Sequence, residues 1–199
     1  MKKSLLITVV AACALCESAW AAPVNFSDPY VELGIGVATG SDVAFDGVNV
    51  SLDSGPAASL GFGFSRFIGP VDVRLDYMTT DRDTCFLLDC AFGNQGVTSS
   101  STMLSALYNF PLGEGRWEAY AGAGAGMVKV DVENTVTGYS GSDNVFGWQL
   151  IGGGRVRLFK GPIRLFLEYR YQSAQDAKID GHTIEYNSSS FTIGARWTF

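Results

Sequence analysis

The single histidine, His182, is followed by Thr183, Ile184 and Glu185, with the serine run Ser188–Ser190 just beyond. Histidine, an acid and serine are the types that nucleophilic hydrolysis uses, but the imidazole must lie within hydrogen-bond reach of the nucleophile. No serine adjoins His182, so the expectation is a solvated loop histidine. Cys85 and Cys90 form a CxxxxC that is a poor zinc site, with one histidine in the whole chain. Gly122-Ala123-Gly124-Ala125-Gly126 and Gly152-Gly153-Gly154 lack the Lys-Ser/Thr ending and the strand–turn–helix setting of a phosphate loop. In a narrow barrel, glycine at inward positions would leave room for an opposing arginine or tyrosine. No metal and no cofactor are expected.

A second set of residues is more informative. Glu32, Asp72, Asp76, Glu118 and Glu168, with Arg74, Arg155, Arg157, Arg164, Arg170 and Arg196, occupy alternate positions in segments whose other positions are apolar. A period of two places them on one face of a strand. Five acids against six bases is nearly neutral, which suits mutual pairing in a confined space.

The elements that must position these charges are eight strands. They are expected at about Tyr30–Ala38, Ala57–Phe64, Val71–Met78, Ser99–Phe110, Trp117–Val128, Val145–Leu158, Ile163–Tyr171 and Phe191–Phe199. No segment outside the N-terminus shows a helical period. Connections alternate in length. Ser65–Pro70, Pro111–Arg116 and Phe159–Pro162 are tight, whereas Ala38–Pro56, Thr79–Thr98, Lys129–Asn144 and Gln172–Ser189 are long and polar. The fold class expected is all-β: an eight-stranded antiparallel up-and-down transmembrane barrel with short periplasmic turns and long extracellular loops. Closure satisfies every strand edge, as a bilayer requires. Aromatics Phe64, Tyr108, Phe110, Tyr171, Trp197 and Phe199 fall at strand ends, where interfacial belts belong.

Residues 1–21 read as a secretory signal, with Lys2 and Lys3, an apolar Leu5–Leu15 stretch and Ala19-Trp20-Ala21 before cleavage. A competing reading takes Val10-Ala11-Ala12-Cys13 as a lipoprotein signal with Cys13 lipidated. Residues 22–199 then form one barrel domain, and the cell outer membrane is the expected location. Cys85 and Cys90 remain as an even pair in an exported chain, expected to form a disulfide around Phe86, Leu87 and Leu88. Those three apolar residues at a loop tip are a candidate contact for a partner.

Charge is unevenly spread. The long connections hold Asp42, Asp46, Asp53, Asp81, Asp83, Asp89, Asp131, Glu133, Asp143, Asp176, Asp180 and Glu185 against Arg82, Lys129 and Lys178, a net of −9. That disfavours nucleic acid and sulfated polyanions as loop partners. It permits divalent cations bridging to lipopolysaccharide, or contact with basic host surface proteins.

Leu104-Ser105-Ala106-Leu107-Tyr108-Asn109-Phe110, Tyr120–Gly126, Leu167-Glu168-Tyr169-Arg170-Tyr171 and the terminal Phe191–Phe199 resemble the small Gram-negative outer-membrane barrels, the OmpA/OmpX-like and opacity-protein group. The resemblance spans the whole chain beyond the signal. It implies that Phe191, Ile193, Ala195, Trp197 and Phe199 serve as the signal read by the barrel-assembly machinery. A monomer among outer-membrane lipids and lipopolysaccharide is expected. The leading functional expectation is a non-enzymatic protein for envelope integrity and surface adhesion or host contact. A narrow ion channel is the alternative, and a lipid A-modifying enzyme, of the kind some such barrels are, is a third.

Overall fold

The computed structural model describes residues 24–40, 43–45, 48–50, 54–84, 95–113, 116–134, 139–157, 161–175, 177–179, 182–184 and 187–199. In chain order the strands are β1 (Pro29–Gly40), β2 (Val43–Phe45), β3 (Val48–Val50), β4 (Gly55–Ile68), β5 (Val71–Thr84), β6 (Gln95–Leu112), β7 (Trp117–Asn134), β8 (Tyr139–Val156), β9 (Ile163–Ala174), β10 (Ala177–Ile179), β11 (His182–Ile184) and β12 (Asn187–Thr198). Eight of them close into a barrel in the order β1-β12-β9-β8-β7-β6-β5-β4, each antiparallel to its neighbours. The other four form a small sheet, β10-β11-β2-β3, from residues of the first and last long connections.

The inside and outside of this barrel are inverted relative to a water-soluble protein. Among the described residues, eighteen polar or charged side chains are buried against twelve apolar ones, so the buried space is a polar lumen. Leu33, Ile35, Leu60, Leu75, Leu104, Leu167 and Ile193 are exposed on the outer wall. Such a surface is stable only where lipid replaces water.

The outward series on two strands marks where the lipid ends. On β7 it runs Ala121, Ala123, Ala125, Met127 and then Lys129 and Asp131, which pair at 2.7 Å. On β5 it runs Val73, Leu75, Tyr77 and then Thr79 and Asp81. Aromatics mark both borders. Phe26, Phe62 and Phe64 stack edge to face near the turn side, with Tyr108–Phe110 and Trp197–Phe199 also in contact. Trp148–Tyr171 and Tyr169–Phe191 stack toward the opposite side.

The strands are longer than the sequence pattern suggests, mostly on the long-loop side, although β4 also runs on to Ile68 through part of the expected Ser65–Pro70 turn. β6, β7 and β8 each have 18 residues, a contour of roughly 59 Å at about 3.3 Å per residue. Tilted by ~40°, they rise well beyond an apolar band about 25 Å tall. Asp81, Asp83, Lys129, Asp131, Glu133 and Asp143, assigned from sequence to loops, therefore stand on strand extensions. On β5 both faces are polar above the lipid, so no apolar period announces the extension, whereas on β7 Val128 and Val130 continue the alternation inward. His182 likewise begins β11, paired with Ile179, in place of an irregular loop. The sixth barrel strand ends earlier than expected, at Val156.

The turns explain the short side. Gly69 and Gly113 have φ of +58° and +61°, a left-handed conformation that glycine adopts without steric cost. Arg66 also has positive φ, at 51°, where the β4–β5 register shifts between Phe64 and Ile68. Its backbone N–H donates to Asp72 Oδ1 at 2.8 Å, which holds this bulge in place.

The charged lumen as candidate functional site

Alternation along β5 sends Asp72, Arg74 and Asp76 inward at successive heights, followed by Met78 and Thr80. Strand register then brings opposite charges face to face. Glu32 on β1 lies directly across from Arg196 on β12, and Glu118 on β7 directly across from Arg155 on β8.

Arg74 is the hub. Its guanidinium reaches Glu32 at 2.5 Å and Asp76 at 2.6 Å, and it grips both oxygens of Glu168 at 2.9 and 3.1 Å. Glu168 also accepts from Arg170 Nη2 at 2.6 Å and from the Tyr120 hydroxyl at 3.0 Å. Toward the turn side, Arg196 Nε donates to Glu32 at 2.5 Å and its Nη1 to Asp72 at 2.8 Å. Arg155 Nη1 lies 3.2 Å from Asp72 and 2.9 Å from both Glu118 and Asn109. Two guanidinium groups also stack on rings: Arg155 on Tyr120 at 3.9 Å and Arg196 on Tyr30 at 3.5 Å.

Four acids (Glu32, Asp72, Asp76, Glu168) and four arginines (Arg74, Arg155, Arg170, Arg196) are thus buried together, each no more than 3% exposed. Equal numbers matter, because an unmatched buried charge would be far more costly than any pair. Above them lies a neutral polar layer. Ser105 donates to Asp76 at 2.7 Å, Gln149 to Ser105 at 2.8 Å, and Gln172 to Gln149 at 3.1 Å. Higher still, Met78, Met103 and Val128 are fully buried, with Thr80 and Ser99 2.7 Å apart. Side chains of all three kinds fill the bore.

The sequence-predicted network divides at its lower end. Glu118 and Arg164 are half-buried and 3.4 Å apart at the turn-side mouth. Arg157 was expected inside, but it follows the end of β8 and is exposed, so the inward count falls to five arginines against five acids. Phe191, Ile193, Ala195 and Trp197 face outward along β12. Phe199 is exposed at its end, its N–H bonded to the Pro29 carbonyl at 3.0 Å. Cys85, Phe86, Leu87, Leu88 and Cys90 lie outside the described residues, as do residues 1–23. The same holds for the His182 side chain. Among the described residues no group of three His, Cys, Asp or Glu side chains could hold a metal ion.

Tyr120, Gln149 and Phe166 are buried on the face that alternation assigns to the charges, whereas Tyr30, Asn109, Gln172 and the buried apolar Met103 and Leu107 escaped the charge-based reading. Parity was the available signal, since each shares the inward phase of a charged residue on its own strand or its partner. The glycines opposite them are small for a reason. A Cβ on Gly153 would sit 2.5 Å from the Tyr120 hydroxyl, and one on Gly63 2.7 Å from that of Tyr30.

The same barrel fold recurs in solved outer-membrane proteins. Neisserial surface protein A superposes with a TM-score of 0.62 at 17% identity, over 86% of this chain and 97% of that one. The attachment invasion locus protein Ail of Yersinia pestis, solved with the heparin analogue sucrose octasulfate, gives 0.52 at 18%, over 86% and 99%. The outer membrane protease OmpT of Escherichia coli gives 0.51 at 10%, over 92% and 100%. At such identities the likeness is one of fold. No curated protein matches the sequence. The family model for the outer membrane protein β-barrel domain, however, matches residues 7–199, end to end across the lumen and belts described above, and the chain belongs to that family of outer-membrane proteins.

Proposed function

We propose that the barrel is a non-enzymatic, non-conducting membrane anchor whose outward-projecting strands and loops make the functional contacts. The observation carrying this reading is the filled bore. Eight charges no more than 3% exposed, a polar layer and buried methionines occupy the space a solute would need. An eight-stranded barrel is just wide enough for side chains to fill. What differs from the lipid-matched wall is the extension above Tyr77 and Met127, and it is acidic.

On this reading the acidic outer face contributes to envelope integrity by sharing divalent cations with neighbouring lipopolysaccharide, and it adheres to basic surfaces of host proteins. Its net of −9 sets it apart from a receptor for sulfated polyanions, the class of ligand with which Ail was solved. Phe86, Leu87 and Leu88, held by a Cys85–Cys90 disulfide, would add an apolar contact at a loop tip.

Three experiments test the proposal. Planar-bilayer recordings of the refolded protein are expected to show no steady conductance, and large stable openings would restore the channel alternative. Cell-adhesion assays are expected to fall when Phe86, Leu87 and Leu88 are all changed to Ser, while the protein still reaches the surface. Unchanged adhesion would remove the loop-tip contact from the proposal. Lipid A mass spectra are expected to be identical with and without His182→Ala.

A further inference from the structure

At the turn-side mouth of the barrel lies a cavity of about 530 Å³, distinct from the outer face discussed above. Turn residues Pro70, Pro111 and Pro162 rim it, so it faces the periplasm. Its roof is Asp72 and Arg196, both at most 2% exposed. Arg66, Arg157 and Arg164 line its walls.

The hydrogen-bonding capacity left in this cavity is one-sided. Asp72 already accepts from the Arg66 backbone N–H, Asn109, Arg155 and Arg196. Glu118 accepts from Arg155 and Arg164. Asp28, also in the lining, faces Arg66 at 3.7 Å, so three acids stand against four arginines around the cavity and donors are in excess. Arg196, in the roof, has its Nη2 buried without a hydrogen-bond partner. Arg157 makes no ion pair among the described residues, and Arg164 faces the like charges of Arg157, Arg196 and Arg155 with only the 3.4 Å contact to Glu118 to offset them. A buried surplus of guanidinium donors beside a cavity calls for an acceptor-rich guest. Guanidinium forks fit the paired oxygens of phosphate and carboxylate groups.

We infer that this mouth is an oxyanion-binding site, taking a phosphate or carboxylate group from the periplasm between Arg157, Arg164 and Arg196. Arg164 on β9 and Arg196 on β12 are held by paired strands, and Arg157, one residue beyond β8, by the bond from its N–H to the Arg116 carbonyl at 3.0 Å. The guest is either a small free anion or an anionic group carried on the cell-wall polymer, and both present the same oxygens. The site is independent of the loops, so loss of adhesion and loss of anion binding are separate outcomes.

The test uses inorganic phosphate as the probe. Arginine Nε–H resonances of the refolded barrel in nanodiscs are followed by NMR, with chloride replaced by phosphate at constant ionic strength. Saturable shifts are expected at Arg164 and Arg196, weakened at least tenfold by Arg157→Gln. That variant leaves every described ion pair in place, so its heat-modifiable gel band is expected to be unchanged. Arg164→Gln is expected to weaken binding similarly. Pelleting with purified cell-wall sacculi separates the sources. Co-sedimentation lost in Arg157→Gln places the oxyanion on the wall, whereas phosphate binding without co-sedimentation assigns the site to a small solute. Shifts that never saturate, or that are equal in wild type and Arg157→Gln, overturn the inference.

Discussion

Arg196 and Glu32 sit directly opposite each other across the seam between the last and first strands, joined at 2.5 Å, while the same guanidinium covers the ring of Tyr30. The two partners are 164 positions apart in sequence. Their contact can form only when the barrel closes, so it connects closure to the neutralisation of lumen charge.

Removing either partner is therefore expected to weaken closure itself. Arg196→Gln and Glu32→Gln should each cost roughly 3–5 kcal/mol, the range for an orphaned buried charge. The double variant should lose clearly less than the sum, because removing one acid and one arginine together restores the balance of buried charge. Urea titrations of the refolded protein, read by tryptophan fluorescence, give the cycle. Additive losses would show that the seam pair is not coupled.

Arg74 should be the least replaceable lumen residue. It serves Glu32, Asp76 and Glu168 at once, so Arg74→Met leaves three carboxylates short of a partner. A loss at or above roughly 3–5 kcal/mol is expected, visible as failure to form the heat-modifiable band. Arg74→Lys should recover only part of it, because an ammonium cannot grip both oxygens of Glu168 as the guanidinium does.

Two adjacent glycines should respond in opposite ways. A Cβ on Gly153 meets the Tyr120 ring and hydroxyl at 2.5 Å and the Leu167 carbonyl at 2.6 Å, so Gly153→Ala is expected to cost about 1–3 kcal/mol. At Gly152 nothing lies within 4 Å, and Gly152→Ala should stay within about 0.5 kcal/mol of wild type. Equal effects in urea titrations would contradict the inward and outward assignment of this run.

Gel migration tests closure and the cysteines together. The refolded protein is expected to run faster cold than boiled. Reductant should shift the boiled band if Cys85 and Cys90 are joined, and Cys85→Ser with Cys90→Ser should abolish that shift. Migration unaffected by heat would contradict a closed membrane barrel.

Local alternation is enough to specify the barrel and most of its polarity. Strict alternation in segments such as Val71–Tyr77 and Phe191–Phe199 leaves one face for lipid and one for charge, and alternating connection lengths orient the molecule. That information is local, because a period of two is written into neighbouring residues. It failed where the constraint lifts: above the lipid, Asp81 continues β5 without an apolar face and Lys129 continues β7 with Val128 and Val130 turned inward, and below β8, Arg157 passes out of the bore. Which charges pair was decided only by tertiary structure. Arg74 could have met any of five acids; the register of β1, β5 and β9 gave it Glu32, Asp76 and Glu168. The surplus of donors at the periplasmic mouth is likewise invisible in sequence, because it is a difference between groups that meet only once the barrel has closed.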